Sequence, residues 1–260
     1  MIHLLSLGAG VQSSTLALMA AAGEVTPMPT AAIFADTQAE PPSVYKWLDW
    51  LEKQLPFPVE RVTAGNLEQF ATTLHVSKKR PPYIVTALPY FTLSARGEQG
   101  RVMHRICTRD FKIRPIIKAA RRLAGVPRGC KEVRVIQWIG ISLDEMQRMK
   151  PVRDAWIENR WPLIERRMTR RHCLEWMKAH GYPKPPRSAC VFCPFHGAEE
   201  WRRLQQQEPV QFERAVQFER TVHERADGAR AGGARHGKKI EVHPVSPPLM
   251  QAAGHDRLPQ

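Results

Sequence analysis

The chain has 260 residues, enough to bury a sizeable apolar core in one large domain or in one domain with a small addition. Hydrophobic residues make up 43% of it and seven residues are tryptophan, a composition typical of a globular protein rather than a disordered one. No apolar stretch approaches the roughly 18 residues of a membrane span. The first apolar run lacks a basic flank and is cut by glycines, which argues against a secretion signal. We therefore expect a cytoplasmic protein with no membrane partner.

The balance of charged residues is strongly basic, because 39 Lys and Arg residues are opposed by 25 Asp and Glu residues, which gives a net charge of +14. Two stretches carry much of the excess: Arg101, Arg105, Arg109, Lys112, Arg114, Lys118, Arg121, Arg122 and Arg128 in the middle, and Arg160, Arg166, Arg167, Arg170 and Arg171 later. Basic clusters favour a polyanionic partner, since they release counterions from phosphates. A nucleotide site or a solvated surface also accommodates such residues.

Apolar periodicity predicts alternating strands and helices in the first half of the chain. In order, we expect a strand at 2–5, a helix at 13–22 with Ser13 near its N-cap, a strand at 31–34, a helix at 43–55 and a strand at 59–62. Such alternation is typical of a parallel sheet with helices on both faces. The expected fold is therefore α/β and Rossmann-like, with about five parallel strands.

The second half is less regular. We expect a long loop at 77–100, a basic helix at 109–123 and strands at 133–139 and 161–164. Thr169 is expected to cap a helix that runs to His180, and a proline-rich loop with a CxxC pair and two further helices follow up to residue 225. The domains expected are a nucleotide-binding α/β domain at 1–165, a small helical cysteine-containing region at 166–225 and a flexible tail at 226–260.

The stretch "SLGAGVQSS" joins the first strand to the first helix and is typical of a loop that binds phosphate. It lacks the lysine of a Walker A loop. Gly8 and Gly10 match the start of the dinucleotide fingerprint, and Asp36 lies where a ribose ligand is expected, so an NAD enzyme is a competing interpretation. Ser13 and Ser14 add hydroxyl donors at the positive end of the helix dipole and favour a whole phosphate group instead.

The same stretch resembles the PP-loop, the SGGxDS signature of the ATP pyrophosphatases and phosphoadenylylsulfate reductases. Gly8, Ala9 and Gln12 stand where that signature has serine, glycine and aspartate. Gln12 can form hydrogen bonds but cannot add charge at a magnesium ion. The resemblance implies that ATP with Mg²⁺ binds at Ser6, Gly8, Ala9, Gly10, Ser13, Ser14, Asp36, Thr37 and Gly140.

Three later segments extend the resemblance over residues 2–195. They are "IFADTQAEPP", which resembles the family's second strand and turn, "CTRDFKIRPI", which resembles a reductase-type segment, and "GISLDEMQRM", which resembles a late turn. The matching positions are Asp36, Thr37, Glu40, Cys107, Lys112, Pro115, Gly140, Glu145 and Arg148. An NAD enzyme would not share these ordered motifs. The resemblance implies catalytic roles for Gln12, Ser13, Lys112 and Arg148.

Five cysteines in a chain expected to be cytoplasmic indicate metal or redox chemistry rather than disulfides. Cys190 and Cys193 form a CxxC pair followed by proline, a spacing typical of two ligands of one ion or cluster. A zinc site typically needs a second such pair, whereas iron–sulfur clusters accept thiolates that are more scattered in sequence. A redox CxxC pair is the alternative.

The cysteine pattern resembles that of the assimilatory adenylylsulfate reductases, in which a cysteine pair and a distant CxxC hold a [4Fe–4S] cluster. The resemblance implies Cys107, Cys190 and Cys193 as ligands. Cys173 is the candidate for a fourth ligand. Without it one iron would stay open, as in the iron–sulfur tRNA thiolation enzymes of the PP-loop group. Cys130 is expected to have no chemical role.

Sulfonucleotide reductases carry a nucleophilic cysteine near the C-terminus, and no cysteine follows Cys193 in this sequence. We therefore expect the fold of those reductases with a different activity. The favoured function is that of an ATP-dependent sulfurtransferase that adenylates a nucleic acid, either DNA or tRNA. We expect it to help to insert sulfur by means of a [4Fe–4S] cluster. Its expected partner is a sulfur-donor protein such as a cysteine desulfurase. A phosphoadenylylsulfate or adenylylsulfate reductase and a non-catalytic nucleotide- or DNA-binding module are the alternatives.

Overall fold

A computed structural model describes residues 1–77, 80–85, 87–93, 99–102 and 105–231. The chain forms two compact units. Unit 1 contains Met1–Asp36, Glu40–Ala64 and Lys112–Ser188. Unit 2 contains Thr37–Ala39 with the described residues of Gly65–Phe111 and of the segment that starts at Ala189. The sequence analysis expected consecutive domains with boundaries after residues 165 and 225, whereas these units alternate along the chain.

The described part of the chain contains short strands and helices in regular alternation at its start. The strands are β1 (Ile2–Leu7), β2 (Ala31–Asp36), β3 (Val59–Thr63), β4 (Leu74–Ser77), β5 (Arg80–Ile84), β6 (Phe91–Leu93), β7 (Gln99–Val102), β8 (Val135–Ile139) and β9 (Ile157–Arg160). The helices are α1 (Val11–Ala21), α2 (Pro42–Glu52), α3 (Leu67–Thr72), α4 (Ile106–Thr108), α5 (Arg114–Leu123), α6 (Pro162–Glu165), α7 (Arg170–Ala179), α8 (Ala198–Gln207) and α9 (Pro209–Ala231). A π-helix (Arg109–Ile113) joins α4 to α5, and a 3₁₀ helix (Leu143–Arg148) follows β8.

Unit 1 is built on a parallel sheet of five strands in the order β3–β2–β1–β8–β9. β1 is central, and its Leu5 pairs with Ala32 of β2 on one side and with Trp138 of β8 on the other. Parallel neighbours need crossover connections, and here helices supply most of them. The α/β fold with a five-stranded parallel sheet, predicted from the sequence, is confirmed.

Both faces of this sheet are covered by helices. Successive residues of a strand point to opposite faces, so Leu5 packs in one core cluster with residues of α1, α2 and α7. Leu4 packs in another cluster with Ala119 and Ala120 of α5. Strands buried on both faces read as continuous apolar runs. This explains why the first strand is recognisable from the sequence.

Unit 2 has a core of its own, which is formed by residues of α3, α8 and α9, by Ala87, Leu88 and Tyr90, and by the CxxC segment from Cys190 to Phe192. Phe192 stacks on Phe218 of α9 with ring centroids 4.0 Å apart. Cys190 belongs to this core, and Cys107 and Cys193 pack against it while partly buried. Unit 2 therefore gathers three of the candidate cluster ligands around one apolar core.

Several sequence-based element ends in unit 1 differ from the structure, and one predicted strand is a helix. The helix expected from Ser13 begins at Val11, with Gly10 as its N-cap, so Ser13 lies in the first turn. The strand expected at 161–164 is displaced, because β9 ends at Arg160 and Pro162 starts α6. Proline has no N–H for a sheet ladder and its φ is already close to the helical value.

Two further expectations fall partly outside the described residues. Residues 77–100 were expected to form a loop. Their described part contributes to the antiparallel pairs β4–β5 and β6–β7. Residues 78–79, 86 and 94–98 lie outside the description. The tail was expected from residue 226, but α9 continues to Ala231, and residues 232–260 lie outside the description. In the part of the chain that the structure describes, none of the helices has the length and apolar character needed to cross a membrane.

Candidate functional site

The middle of the unit 1 sheet contains a reversal in strand order, because β1 is flanked by β2 on one side and β8 on the other. In open parallel sheets, ligands bind outside the carboxyl ends of the strands at such a reversal. Residues 8–10 follow β1 and residues 140–142 follow β8. The two glycine-containing segments of the resemblance therefore meet at the same end of the sheet.

The side chain of Ser13 closes the loop after β1. Its Oγ accepts a hydrogen bond from the Gly8 N–H at 3.1 Å and donates one to the Gly10 carbonyl at 3.4 Å. Ala9 has a φ of 54°, in the left-handed region that glycine adopts without strain. Ala9 thus occupies a glycine-type backbone position, which matches the glycine of the PP-loop signature.

Gly140 is required by close packing at the end of β8. A Cβ atom at this position would lie 2.9 Å from both N and Cα of Ser13 and 3.2 Å from the carbonyl carbon of Gln12. These are backbone atoms of the first turn of α1, which cannot rotate away as a flexible side chain could. Gly140 therefore lets the end of β8 approach the N-terminus of α1.

Three partners hold the side-chain amide of Gln12. Its Oε1 accepts a hydrogen bond from Nη1 of Arg170 at 3.0 Å. Its Nε2 donates to Oε2 of Glu145 at 3.2 Å and to Oγ of Ser142 at 3.3 Å. Glu145 also forms an ion pair with Arg148 at 2.7 Å. A carboxylate at position 12 would attract Arg170 but repel Glu145, so the neutral amide suits both neighbours.

Ser14 and Ser6, both expected to contact the nucleotide, have partners inside unit 1. Ser14 is fully buried, and its Oγ accepts a hydrogen bond from the indole Nε1 of Trp47 at 2.9 Å. Ser6 Oγ accepts a hydrogen bond from the Gln137 amide across the β1–β8 pair. The Ser14 hydroxyl therefore faces the core and ties α1 to α2.

Asp36 lies at the carboxyl end of β2, beside the strand that carries the glycine loop. Its Oδ1 accepts a hydrogen bond from the Tyr45 hydroxyl at 2.7 Å. Burial of the phenol, together with the charge of this carboxylate, raises the pKa of Tyr45 above its ordinary value. Tyr45 thus stays neutral and acts as a donor that orients Asp36.

Lys112 pairs with a buried carboxylate close to the glycine loop. The Glu40 side chain is only 1% exposed. It accepts hydrogen bonds from Lys112 Nζ at 3.0 Å and from Ser188 Oγ at 3.2 Å. The Cβ of Ser188 lies 3.7 Å from the position that a Cβ on Gly10 would occupy. The structure therefore adds Ser188 to the surroundings of the loop, together with its partner Glu40.

Cys107, Cys190 and Cys193 belong to unit 2. The Sγ of Cys190 lies 3.4 Å from Oγ1 of Thr37, and the Cys193 N–H donates to the Cys190 carbonyl at 3.0 Å within a tight turn. The Cys107 N–H donates to the Ala87 carbonyl at 2.8 Å. Among the residues that the structure describes, no group of three or more His, Cys, Asp or Glu side chains is arranged to hold a metal ion.

Cys173 is a core residue of unit 1. It is fully buried on α7, and its carbonyl accepts a hydrogen bond from Thr15 of α1 at 3.5 Å. Burial, and secondarily the charge of Asp144, raises the pKa of the Cys173 thiol to about 12. This environment favours a packing role for Cys173.

Sequence reasoning did not single out several of these residues. Ser142 and Tyr45 were not identified, and Arg170 was noted only as a member of a basic run. Gln12 and Arg170 are 158 positions apart, so no local pattern links them. The one signal that could have drawn attention to Arg170 is its place directly after Thr169, the expected helix cap.

Comparisons with known proteins were made at the level of sequence and of structure. No protein-family model matches the chain, and no curated protein sequence matches it. Among solved structures, the chain is similar to a phosphoadenylyl-sulfate (PAPS) reductase from Candida auris in a phosphate complex. The TM-score is 0.43 and the sequence identity is 14%, and the match covers 71% of this chain and 75% of the reductase chain. Similarity at this level does not identify a ligand or an activity.

Proposed function

We propose that this chain is an ATP-dependent enzyme of the PP-loop type that adenylates a nucleic-acid substrate as the first step of sulfur insertion. The observation that carries the proposal is the meeting of residues 8–10, the first turn of α1 and Gly140 at the reversal in strand order. The first N–H groups of a helix have no intrahelical partner. Together with the helix dipole they favour a phosphate group at this place.

The proposed reaction places the terminal phosphates of ATP at the glycine loop. An oxygen of the substrate attacks the α-phosphorus, the bond from that phosphorus to the bridging oxygen breaks, and pyrophosphate leaves with the bonding electron pair. Backbone N–H groups at the N-terminus of α1 stabilise the charge that develops on pyrophosphate. A sulfur nucleophile then attacks the substrate atom that carries the adenylated oxygen, the bond to that oxygen breaks, and AMP leaves with the oxygen and the bonding electron pair.

The side chains around the loop have distinct roles in this proposal. Ser13 keeps the loop closed through its bonds to Gly8 and Gly10. Asp36, oriented by Tyr45, is the acceptor for the ribose of the adenosine. Lys112 and Arg148, each paired with a glutamate, are sources of positive charge that guide the polyanionic substrate and ATP with its Mg²⁺ to the loop.

We further propose that unit 2 holds a [4Fe–4S] cluster on Cys107, Cys190 and Cys193, which pack against one apolar core. Two side-chain oxygens of this unit support a bound group: the Tyr90 hydroxyl and Oε2 of Glu219 are buried and have no hydrogen-bond partner within the described chain. Buried polar atoms are nearly always paired. Three protein thiolates would leave one iron of such a cluster without a protein ligand, and that iron would supply a place for sulfide to bind.

Cys173 is left out of the proposed ligand set. Its full burial in the unit 1 core favours a packing role, so three cysteines are preferred to four. A sulfur donor such as a cysteine desulfurase would then deliver sulfide to the open position.

The cluster is tested by iron and sulfide analysis of protein purified without oxygen. We expect iron and acid-labile sulfide in the wild type, their loss in Cys190→Ala, and their retention in the control Cys130→Ala. Retention in Cys173→Ala would support the three-cysteine set, and loss there would support four ligands. A colourless protein that contains zinc and no sulfide would refute the cluster.

The adenylation step is tested by incubating the holoprotein with ATP, Mg²⁺ and either duplex DNA or tRNA. We expect release of pyrophosphate that depends on the nucleic acid, followed by AMP when sulfide is present. Consumption of adenylylsulfate with release of sulfite, and no action on ATP, would establish a reductase instead. Binding of ATP with no pyrophosphate release on either nucleic acid would favour a nucleotide-binding module.

A further inference from the structure

We propose that Arg170 is the cationic group of the phosphate loop and that the side-chain amide of Gln12 orients it. The loop then binds polyphosphate without a divalent cation bound to the loop's own residues. The inference rests on the proposed function, since it concerns the same loop. The ligand of the loop is then pyrophosphate or the terminal phosphates of a nucleotide. Mg²⁺ would accompany ATP, but the residues of the loop would not bind it.

Arg170 reaches the loop from the first residue of α7. Its backbone N–H donates to Oδ1 of Asp144 at 3.0 Å, and Thr169 caps the helix directly before it. Its Nη1 donates to Oε1 of Gln12, in the first turn of α1, at 3.0 Å. A guanidinium carries five N–H donors, and the contact with Gln12 uses one of them. Backbone and side chain thus fix this cation at the helix N-terminus where phosphate is expected.

The amide of Gln12 is what allows the arrangement. Its oxygen can only accept and its nitrogen can only donate, so it satisfies Arg170 and Glu145 at the same time. An aspartate at this position would neutralise Arg170 and place a second carboxylate beside Glu145. Gln12 stands where the PP-loop signature has aspartate, so a metal-binding carboxylate is missing at this position. The same difference leaves the positive charge of Arg170 available to a ligand.

The charges on the neighbouring 3₁₀ helix distinguish Arg170 from Arg148. Arg148 is paired with the Glu145 carboxylate at 2.7 Å, whereas the guanidinium of Arg170 donates to a neutral amide. A hydrogen bond from Ser142, and then contacts with Arg170, lower the pKa of Asp144, so this carboxylate is ionised and anchors the backbone of Arg170. Arg170 is therefore the better placed of the two cations to meet a phosphate.

The test is calorimetric titration of the full chain with inorganic pyrophosphate, once in EDTA and once in Mg²⁺. We expect the wild type to bind in EDTA with an affinity within about threefold of that in Mg²⁺. Arg170→Ala should weaken binding about 10- to 100-fold in both buffers, as expected for loss of a charged hydrogen bond. The matched control is Arg171→Ala, which should leave the affinity for pyrophosphate unchanged. Arg171 is the next residue of α7, and its exposed side chain lies 3.6 Å from Glu175.

Two further variants separate charge from folding. Arg170→Lys keeps the charge but loses the planar fork, so it should recover part of the affinity. Gln12→Asp should bind weakly in EDTA and regain affinity in Mg²⁺, because the new carboxylate would pair with the Arg170 guanidinium and could also bind the metal. Thermal melting in the absence of ligand checks that each variant is folded. Loss of wild-type binding in EDTA, or equal affinities of Arg170→Ala and Arg171→Ala, would overturn the inference.

Failure of this inference and failure of the proposed function give different results. A chain that binds pyrophosphate in EDTA through Arg170, yet releases none from ATP with nucleic acid, keeps the inference and refutes adenylation. A chain that releases pyrophosphate but binds it only in Mg²⁺ keeps the proposed function and refutes the inference. Absence of pyrophosphate binding in both buffers refutes the phosphate site itself.

Discussion

Gly140 has no side chain because the first turn of α1 occupies the space where one would lie. A Cβ 2.9 Å from two backbone atoms of Ser13 forces either β8 or the start of α1 to move. We expect Gly140→Ala to lower the free energy of unfolding by about 1–3 kcal/mol, the range for overpacked sites, and to weaken pyrophosphate binding. Urea denaturation and calorimetry measure the two effects.

Gly8→Ala is the matched control in the same loop, because a Cβ there would meet Ser13 Oγ at an ordinary 3.6 Å. Its unfolding free energy should stay closer to that of the wild type than that of Gly140→Ala. Equal stability of the two variants would show that the approach of β8 to α1 is not a constraint.

The thiol of Cys173 makes stability depend on pH in the alkaline range. Its pKa is raised from 9.0 to about 12 in the folded chain, so above pH 9 the unfolded thiol loses its proton while the folded one keeps it. Stability from this group is complete below pH 9 and falls as the pH rises from 9 to 12, by up to about 1.4 kcal/mol per pH unit. Cys173→Ala should therefore show a shallower loss of stability over this range, measured by urea denaturation.

The same burial protects Cys173 from alkylation. In folded protein at pH 8, iodoacetamide should modify the partly exposed Cys130 and leave Cys173 unmodified until urea is added, as read by peptide mass spectrometry. Rapid modification of Cys173 in the folded chain would contradict the buried, neutral thiol.

Helix α7 brings both Arg170 and Cys173 into unit 1, and its first turn is fixed by a capping box. Oγ1 of Thr169 accepts a hydrogen bond from the His172 N–H at 3.3 Å, and Nδ1 of His172 accepts one from the Thr169 N–H at 3.3 Å. Both bonds satisfy N–H groups that a helix start leaves unpaired. The position of Arg170 therefore depends on the cap that precedes it.

Loss of this cap should be measurable. Thr169→Ala removes the hydroxyl acceptor, so we expect a decrease of about 1 kcal/mol in the free energy of unfolding. We also expect weaker pyrophosphate binding, since Arg170 would lose its fixed starting point. Thr169→Ser keeps the hydroxyl and should match the wild type in both measurements. If Thr169→Ala is less stable but binds pyrophosphate with the affinity of the wild type, the cap does not contribute to the proposed phosphate site.

Over the whole chain, part of the positive charge is neutralised locally. Lys112 pairs with Glu40 at 3.0 Å and Arg109 with Asp110 at 2.8 Å, and Arg122 contacts Glu60. The pairs of Arg109 and Arg122 lie at the surface and add little to stability, whereas Glu40 in the pair with Lys112 is buried. The net charge of +14 nevertheless remains, and it favours a polyanionic partner at long range.

If the chain binds nucleic acid as proposed, the affinity should depend steeply on the salt concentration. If six phosphates are contacted, the slope of log affinity against log salt concentration should be about −5 for duplex DNA. Replacing Arg166 and Arg167 together by alanine should make the slope shallower by about two. Fluorescence anisotropy with labelled DNA and tRNA measures the slopes. An affinity that does not change with salt would argue against a phosphate-dominated interface.

Much of the fold of unit 1 was predictable because its signals are local. The apolar run of β1, the glycines after it and the capping threonine before α7 can each be recognised within a few residues. The strand expected at 161–164 failed because Pro162 reads as apolar in a periodic pattern, while its missing N–H excludes it from a ladder. Local patterns therefore predicted element types better than element ends.

The sequence by itself determined the parallel α/β fold and the position of a glycine loop after β1, since strand–helix periodicity and turn chemistry act between near neighbours. Only the tertiary structure decided what surrounds that loop: Gly140 against Ser13, Arg170 on Gln12, the buried Glu40 between Lys112 and Ser188, and Cys173 in the core of unit 1. These contacts join residues that are far apart in the chain. Packing and charge pairing depend on distance in space, so they leave no pattern in the neighbouring sequence.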